Sequence, residues 1–224
     1  MDSFLNVVAK LVRSWMLEPA RVINTLSRGR VTPNHITLVS LLGHGLVVWA
    51  LWNARPIVAA LLLVFFGLMD ALDGALARVQ NKTSVQGMFY DAKSDRLKES
   101  LVYVGIAIYY WASSGYYDGS DNSWIIRLNS NVGWIPVAAL GLSLLVSYIK
   151  AKGEMALSST GKYDPQKLNR IFSDGFARYE VRMALIIIGL LTNSLLLAML
   201  ILITLLIFTA LQRTIKVSKA LKNV

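Results

Sequence analysis

Apolar residues run through this chain in blocks too long to form one face of an ordinary soluble helix. A membrane-crossing helix needs about 20 mostly apolar residues. Six stretches come within several residues of that length or exceed it: residues 34–53, 56–78, 87–112, 132–152, 179–193 and 195–213. The last three are dominated by Leu, Ile, Val and Ala, whereas the second and third carry carboxylates at one end. Ahead of them the pattern changes. Phe4, Leu5, Val8, Leu11, Val12, Trp15 and Met16 recur at helical spacing, with Lys10 and Arg13 on another side. That spacing predicts an amphipathic helix, lying in the membrane interface or packed against the bundle. It has neither the unbroken apolar core nor the cleavage site of a signal peptide. The expected fold is an all-α integral membrane protein of six transmembrane helices with an N-terminal amphipathic interfacial helix. One domain covers residues 1–224, with a juxtamembrane segment at 1–32, a six-helix bundle at 33–213 and a basic tail at 214–224.

Composition sharpens this picture. Of 224 residues, 55% are hydrophobic and 16% charged, against roughly 25% charged in a typical soluble domain. That excludes disorder and a normal water-soluble fold. The chain is also basic, with 23 Lys and Arg against 13 Asp and Glu and a net charge of +10. A nucleic-acid partner is not expected, because the cations are separated by long apolar runs instead of sharing a polar surface. They sort by side instead. Residues 1–33, the connection after the second stretch with the ends flanking it (Arg78, Lys82, Lys93, Arg96 and Lys98), the segment 150–182 and the chain from Arg213 onward hold 21 of the 23 basic residues. The opposite side keeps Arg55 and Arg127. By the positive-inside rule both termini are cytoplasmic, the span number is even, and the setting is a cell membrane. Tyr116, Tyr117, Trp124 and Trp134 suit an aromatic belt at the outer interface. The absence of cysteine excludes disulfides, thiolate metal sites and a cysteine nucleophile.

Chemistry concentrates between Asp70 and Asp95. Asp70 and Asp73 are three apart and share a helix face; Asp91 and Asp95 are four apart and share a face of the next. The polar link between the helices is short, so the two pack side by side and four carboxylates come together. Four such charges near a membrane repel one another and are costly to desolvate. Arg78 supplies one positive charge, and divalent cations supply the rest. Hard oxygen ligands favour Mg2+, Mn2+ or Ca2+. Two dications would balance four carboxylates, an arrangement suited to displacement at phosphorus. Gly74 and Ala77 leave bare helix surface for a base or pyrophosphate, unless they serve only helix packing. Arg78 offers a fork of donors to phosphate, and Gly87 clears the matching place on the next helix.

The pattern Asp70-x2-Asp73-Gly74-x2-Ala77-Arg78-x8-Gly87-x3-Asp91-x3-Asp95 resembles, position for position, the signature of the CDP-alcohol phosphotransferases. The spans and basic loops resemble that family over nearly the whole chain. The resemblance implies transfer of a phosphatidyl or related group from a CDP-linked lipid such as CDP-diacylglycerol to an alcohol, with release of CMP. It implies that Asp70, Asp73 and Asp91 hold two divalent cations, Mg2+ or Mn2+. Asp95 would ligate one of them and act as general base. Gly74, Arg78 and Ser84 would line the CDP-lipid site, joined by Pro33, Asn34, His35 and Ile36 at the start of the first span. Asn34 has an equal claim as a helix cap. A homodimer is implied as well.

The acceptor is read from a second stretch. Ser147-Tyr148-Ile149-Lys150-Ala151-Lys152-Gly153-Glu154 is similar to a segment of family members that make phosphatidylinositol phosphate or its archaeal counterpart. Lys150, Lys152, Arg178 and Arg182 would then receive the phosphate of inositol phosphate, although such cations also serve as ordinary anchors. Lys152 and Gly153 depart from the Arg and Ala of those relatives. Inositol phosphate is favoured over glycerol 3-phosphate, which is the alternative acceptor. His35 and His44 are expected to be packing histidines. Glu154, Asp174 and Glu180 are expected to pair with nearby cations. A cation- or proton-coupled transporter is the reading from another class. It expects acids near the bilayer midplane between repeats, where this chain has them at the ends of two spans.

Overall fold

The computed structural model describes residues 11–114, 132–161 and 175–222, and every regular element among them is helical. Residues 11–15 are helical. The following helices are α1 (Leu17–Leu26), α2 (Pro33–Trp52), α3 (Pro56–Val79), α4 (Val85–Ser114), α5 (Trp134–Ser158), α6 (Tyr179–Leu191) and α7 (Leu195–Lys222). Phe4, Leu5, Val8 and Lys10 of the amphipathic stretch lie outside the described residues. So do Tyr116, Tyr117 and Trp124 of the expected belt, Arg127 and Asp174.

Each of the six apolar stretches contributes a helix, but they are not equivalent. Among the described residues α2, α3, α5 and α7 are long and apolar enough to cross a membrane. The 30-residue α4 is charged through its first half, and the 13-residue α6 is short for a crossing. The chain is an integral membrane protein with at least those four apolar helices. Its outer surface agrees: Leu42, Leu46, Trp49, Leu61 and Phe65 are all exposed, a face suited to lipid and poorly suited to water. The last apolar stretch and the basic residues after it share one helix, since α7 continues to Lys222. No Gly or Pro interrupts the sequence after Leu195, so nothing stops the helix.

The chain forms two compact units, residues 1–112 and 113–224. In the first, α2 packs along α3 and α1 packs on α3. The core at their junction joins Ala20, Ile36, Ala75 and Leu76. Gln80, just past α3, donates to Asn24 Oδ1 at 3.0 Å and to Val31 O at 2.8 Å, tying the segment before α2 to the end of α3. Both helix ends that reverse the chain use a left-handed residue, Ala54 after α2 and Asn81 after α3. At the second of these, Lys82 N bonds back to Ala77 O at 2.9 Å and closes the helix end. Gly43 admits the Phe66 ring where any Cβ would collide, so α2 and α3 approach closely there.

In the second unit α7 packs against both α5 and α6. Its buried face runs through Leu195, Met199, Leu202 and Leu206. Three polar side chains that enter this core have backbone partners there. Thr209 Oγ1 accepts from Ala177 N at 2.9 Å, Arg182 Nη1 donates to Ala177 O at 2.8 Å, and Arg213 Nη1 donates to Val146 O at 2.9 Å.

Candidate active site

Three helix segments of the first unit build the site. The start of α2 brings Pro33, Asn34, Thr37 and Ser40; the end of α3 brings Asp70, Asp73, Gly74 and Arg78; the start of α4 brings Ser84, Asp91, Asp95 and Lys98. Between them opens a cavity of about 670 Å³. Its wall includes Pro33, Asn34, Thr37, Asp73, Gly74, Ala77, Arg78, Ser84, Gly87, Asp91 and Ser94. The polar link after α3 and the bare surface at Gly74 and Gly87 are what leave the space. A Cβ on Gly74 would stand 3.9 Å from Arg78 Nη1, so the guanidinium leans over that bare surface. Ser84 caps α4, its Oγ accepting from Gly87 N at 3.0 Å.

The four carboxylates divide into two pairs by position. Asp73 and Asp91 face the cavity, one from each helix. Asp70 and Asp95 flank a cation instead: Lys98 Nζ is 2.6 Å from Asp70 Oδ1 and 3.8 Å from Asp95 Oδ1. Hydroxyls from α2 hold the α3 carboxylates. Thr37 Oγ1 donates to Asp73 Oδ2 at 2.6 Å, and Ser40 Oγ to Asp70 Oδ1 at 2.8 Å. Asp70 Oδ2 is buried with no hydrogen-bond partner. Among the described residues, no three acidic or histidine side chains form a ready-made metal cage. The orphaned Asp70 oxygen and the two carboxylates on the wall nevertheless leave unused anionic acceptors of the kind hard dications take. On that chemistry the donor set fits a divalent cation.

A sequence model of the family described as CDP-alcohol phosphatidyltransferase matches residues 30–211, which include every element of this site. The chain belongs to the CDP-alcohol phosphatidyltransferase family. It is 31% identical over 140 residues to an archaetidylinositol phosphate synthase of Pyrococcus horikoshii, covering 62% of this chain and 64% of that protein. It is 30% identical over 142 residues to a phosphatidylinositol phosphate synthase of Cutibacterium acnes, covering 59% and 58%. The chain thus aligns with less than two thirds of the length of either relative. With an uncharacterized protein of Aquifex aeolicus it shares 33% identity over 208 residues, 92% of this chain and 91% of that one. Its fold matches the crystal structure of Mycobacterium tuberculosis phosphatidylinositol phosphate synthase with CDP-DAG bound. That match has a TM-score of 0.69 at 22% identity and covers 90% and 92% of the two chains. The same enzyme crystallised with manganese and citrate matches with a TM-score of 0.68 at 21% identity, over 90% and 88%.

Within this family member, the remaining residues singled out in the sequence fall in different places. His35 and Ile36 are not on the cavity wall. Ile36 is in the core with Ala20 and Leu76, and His35 Nδ1 accepts from Thr32 N at 3.3 Å. Thr32, not Asn34, occupies the cap position of α2, which leaves Asn34 facing the cavity. His44 is buried with Nδ1 2.8 Å from Ser40 O. The four acceptor-pocket candidates all belong to the second unit. Lys150 Nζ lies 3.8 Å from Glu154 Oε1, and Arg178 Nε 3.7 Å from Glu180 Oε2. Lys152 Nζ stands 5.9 Å from the Tyr148 ring centroid. Arg182 is 3% exposed and is held by Ala177 O.

Sequence reasoning missed Thr37, Ser40 and Lys98. The two hydroxyls sit three apart at the start of an apolar span, a spacing that puts both on one face. By sequence Lys98 falls among the cations that flank the loop, yet its side chain is 0% exposed. Its signal was its register, one helical turn beyond Asp95.

Proposed function

We propose that this protein transfers a phosphatidyl-type group from a CDP-linked lipid to a phosphorylated alcohol, releasing CMP. The observation that carries the reading is the cavity flanked by Asp73 and Asp91 and walled by Pro33, Asn34, Gly74, Arg78 and Ser84. Arg78 binds phosphate oxygens of the donor through its planar fork. The bare surfaces at Gly74 and Gly87 receive the nucleotide and pyrophosphate, and Ser84 contacts the nucleotide. Asp70, Asp73, Asp91 and Asp95 would hold two divalent cations, Mg2+ or Mn2+. When bound, these supply charge neutralisation at the phosphorus and at the departing phosphate. Thr37 and Ser40 keep Asp73 and Asp70 aimed. Asp95 accepts the proton of the acceptor hydroxyl; its 3.8 Å separation from Lys98 leaves it acceptor capacity for that role.

Inositol phosphate is the acceptor best supported, because the named relatives from Pyrococcus and Cutibacterium make inositol phosphate lipids. Lys150, Lys152, Arg178 and Arg182 are assigned to its phosphate. The whole chain is read as one domain of six spans, α2 to α7, with residues 1–32 at the interface, a homodimer, and termini and site on the cytoplasmic side of the cell membrane. That placement brings nucleotide and alcohol from water while acyl chains remain in lipid. A screen of alcohols against one labelled CDP-diacylglycerol tests the acceptor. Release of CMP with inositol phosphate and not with glycerol 3-phosphate is expected; the reverse preference reassigns the acceptor.

A further inference from the structure

Lys98 is the one member of the acidic cluster that neither the signature nor the mechanism above uses. Its side chain is fully buried, and a buried ammonium is tolerated only when paired. The pairing is with the cluster itself, 2.6 Å to Asp70 Oδ1 and 3.8 Å to Asp95 Oδ1. Ser40 completes Asp70 Oδ1 at 2.8 Å, so the ammonium and the hydroxyl take up one oxygen and leave Oδ2 bare. The cation is not free in water as a surface lysine would be, because its side chain is 0% exposed. On the same helix Arg96 pairs with Glu99 at 2.6 Å.

We propose that Lys98 is a resident counter-ion of the cluster, a positioning residue that holds Asp70 and sets how strongly the site binds divalent cations. The inference rests on the reading that the four carboxylates take dications. A fixed positive charge between Asp70 and Asp95 repels any dication that shares either carboxylate, and burial weakens the screening of that repulsion. It also removes one unit of the repulsion among the acids, so the cluster stays assembled before a cation arrives. Lys98 therefore lowers the affinity for dications and removes the need for them in folding.

The test is Mn2+ binding by calorimetry to the purified full chain in detergent, beside Lys98→Met and Lys98→Arg. Met keeps most of the stem volume and removes the charge; Arg keeps the charge. Lys98→Met is expected to bind Mn2+ at least about tenfold more tightly than wild type, with Lys98→Arg within about threefold of wild type. If Lys98→Met unfolds in chelator, recovery of its melting transition by Mn2+, and not by NaCl of matched ionic strength, is the same result. Equal affinity in all three proteins, or no recovery by Mn2+, overturns the proposal. Failure of wild type to bind Mn2+ at all would instead refute the dication reading beneath it.

Discussion

Replacing Thr37 by Val tests how the cluster is aimed. The hydroxyl donates to Asp73 Oδ2 at 2.6 Å, and Asp73 is only 5% exposed. Val has the shape of Thr, so the substitution deletes a donor and leaves α2 packed as before. A hydrogen bond to a charged group is worth about 1.5–3 kcal/mol, and Pro33 O, 3.1 Å from the same hydroxyl, loses only a weaker, neutral contact. If Asp73 must be held in one orientation to act, that energy appears as a fall of roughly 10- to 150-fold in kcat/KM for the donor. The assay is initial-rate CMP release against CDP-diacylglycerol concentration, with folding checked by circular dichroism and gel filtration in detergent. Thr37→Ser restores the donor and should recover most of the rate. A Thr37→Val protein that is folded and as fast as wild type refutes the reasoning.

Three further outcomes follow from the same geometry. Asp95→Asn keeps the shape but not the base, and should abolish CMP release while circular dichroism shows retained helix. Chelation by EDTA should stop turnover, and added Mg2+ or Mn2+ should restore it where equal charge as NaCl does not. Gly43→Ala places a methyl into the Phe66 ring; overpacking of this kind costs about 1–3 kcal/mol, to be seen as a lower melting temperature in detergent.

The helices were legible in the sequence because long apolar runs permit little else in a membrane, and all six runs contribute one. Their status as spans was less legible. The carboxylates and lysines at the start of α4 dilute its hydropathy even though they serve the site, and α6 is cut short by the turn around Asn193. The carboxylate spacing placed Asp73 and Asp91 on one cavity, since a helical register and a short link leave few other outcomes. What spacing could not convey was the third dimension. Thr37 and Ser40 approach the acids across 36 and 30 residues of chain. Lys98 has the composition of a loop cation, and only packing reveals that it is buried. His35 and Ile36 show the converse. They adjoin two cavity residues in sequence, but helical rotation turns Ile36 into the core and leaves His35 bonded at the cap.

The most direct measurement is CMP release from CDP-diacylglycerol in the presence of Mn2+ and inositol phosphate, with the lipid product identified by mass spectrometry, for wild type beside Asp91→Asn. Wild type is expected to form one phosphatidylinositol phosphate for each CMP, and the variant neither. A folded wild-type protein that releases no CMP with inositol phosphate, glycerol 3-phosphate or any other alcohol would contradict the assignment of the cavity as a transferase site.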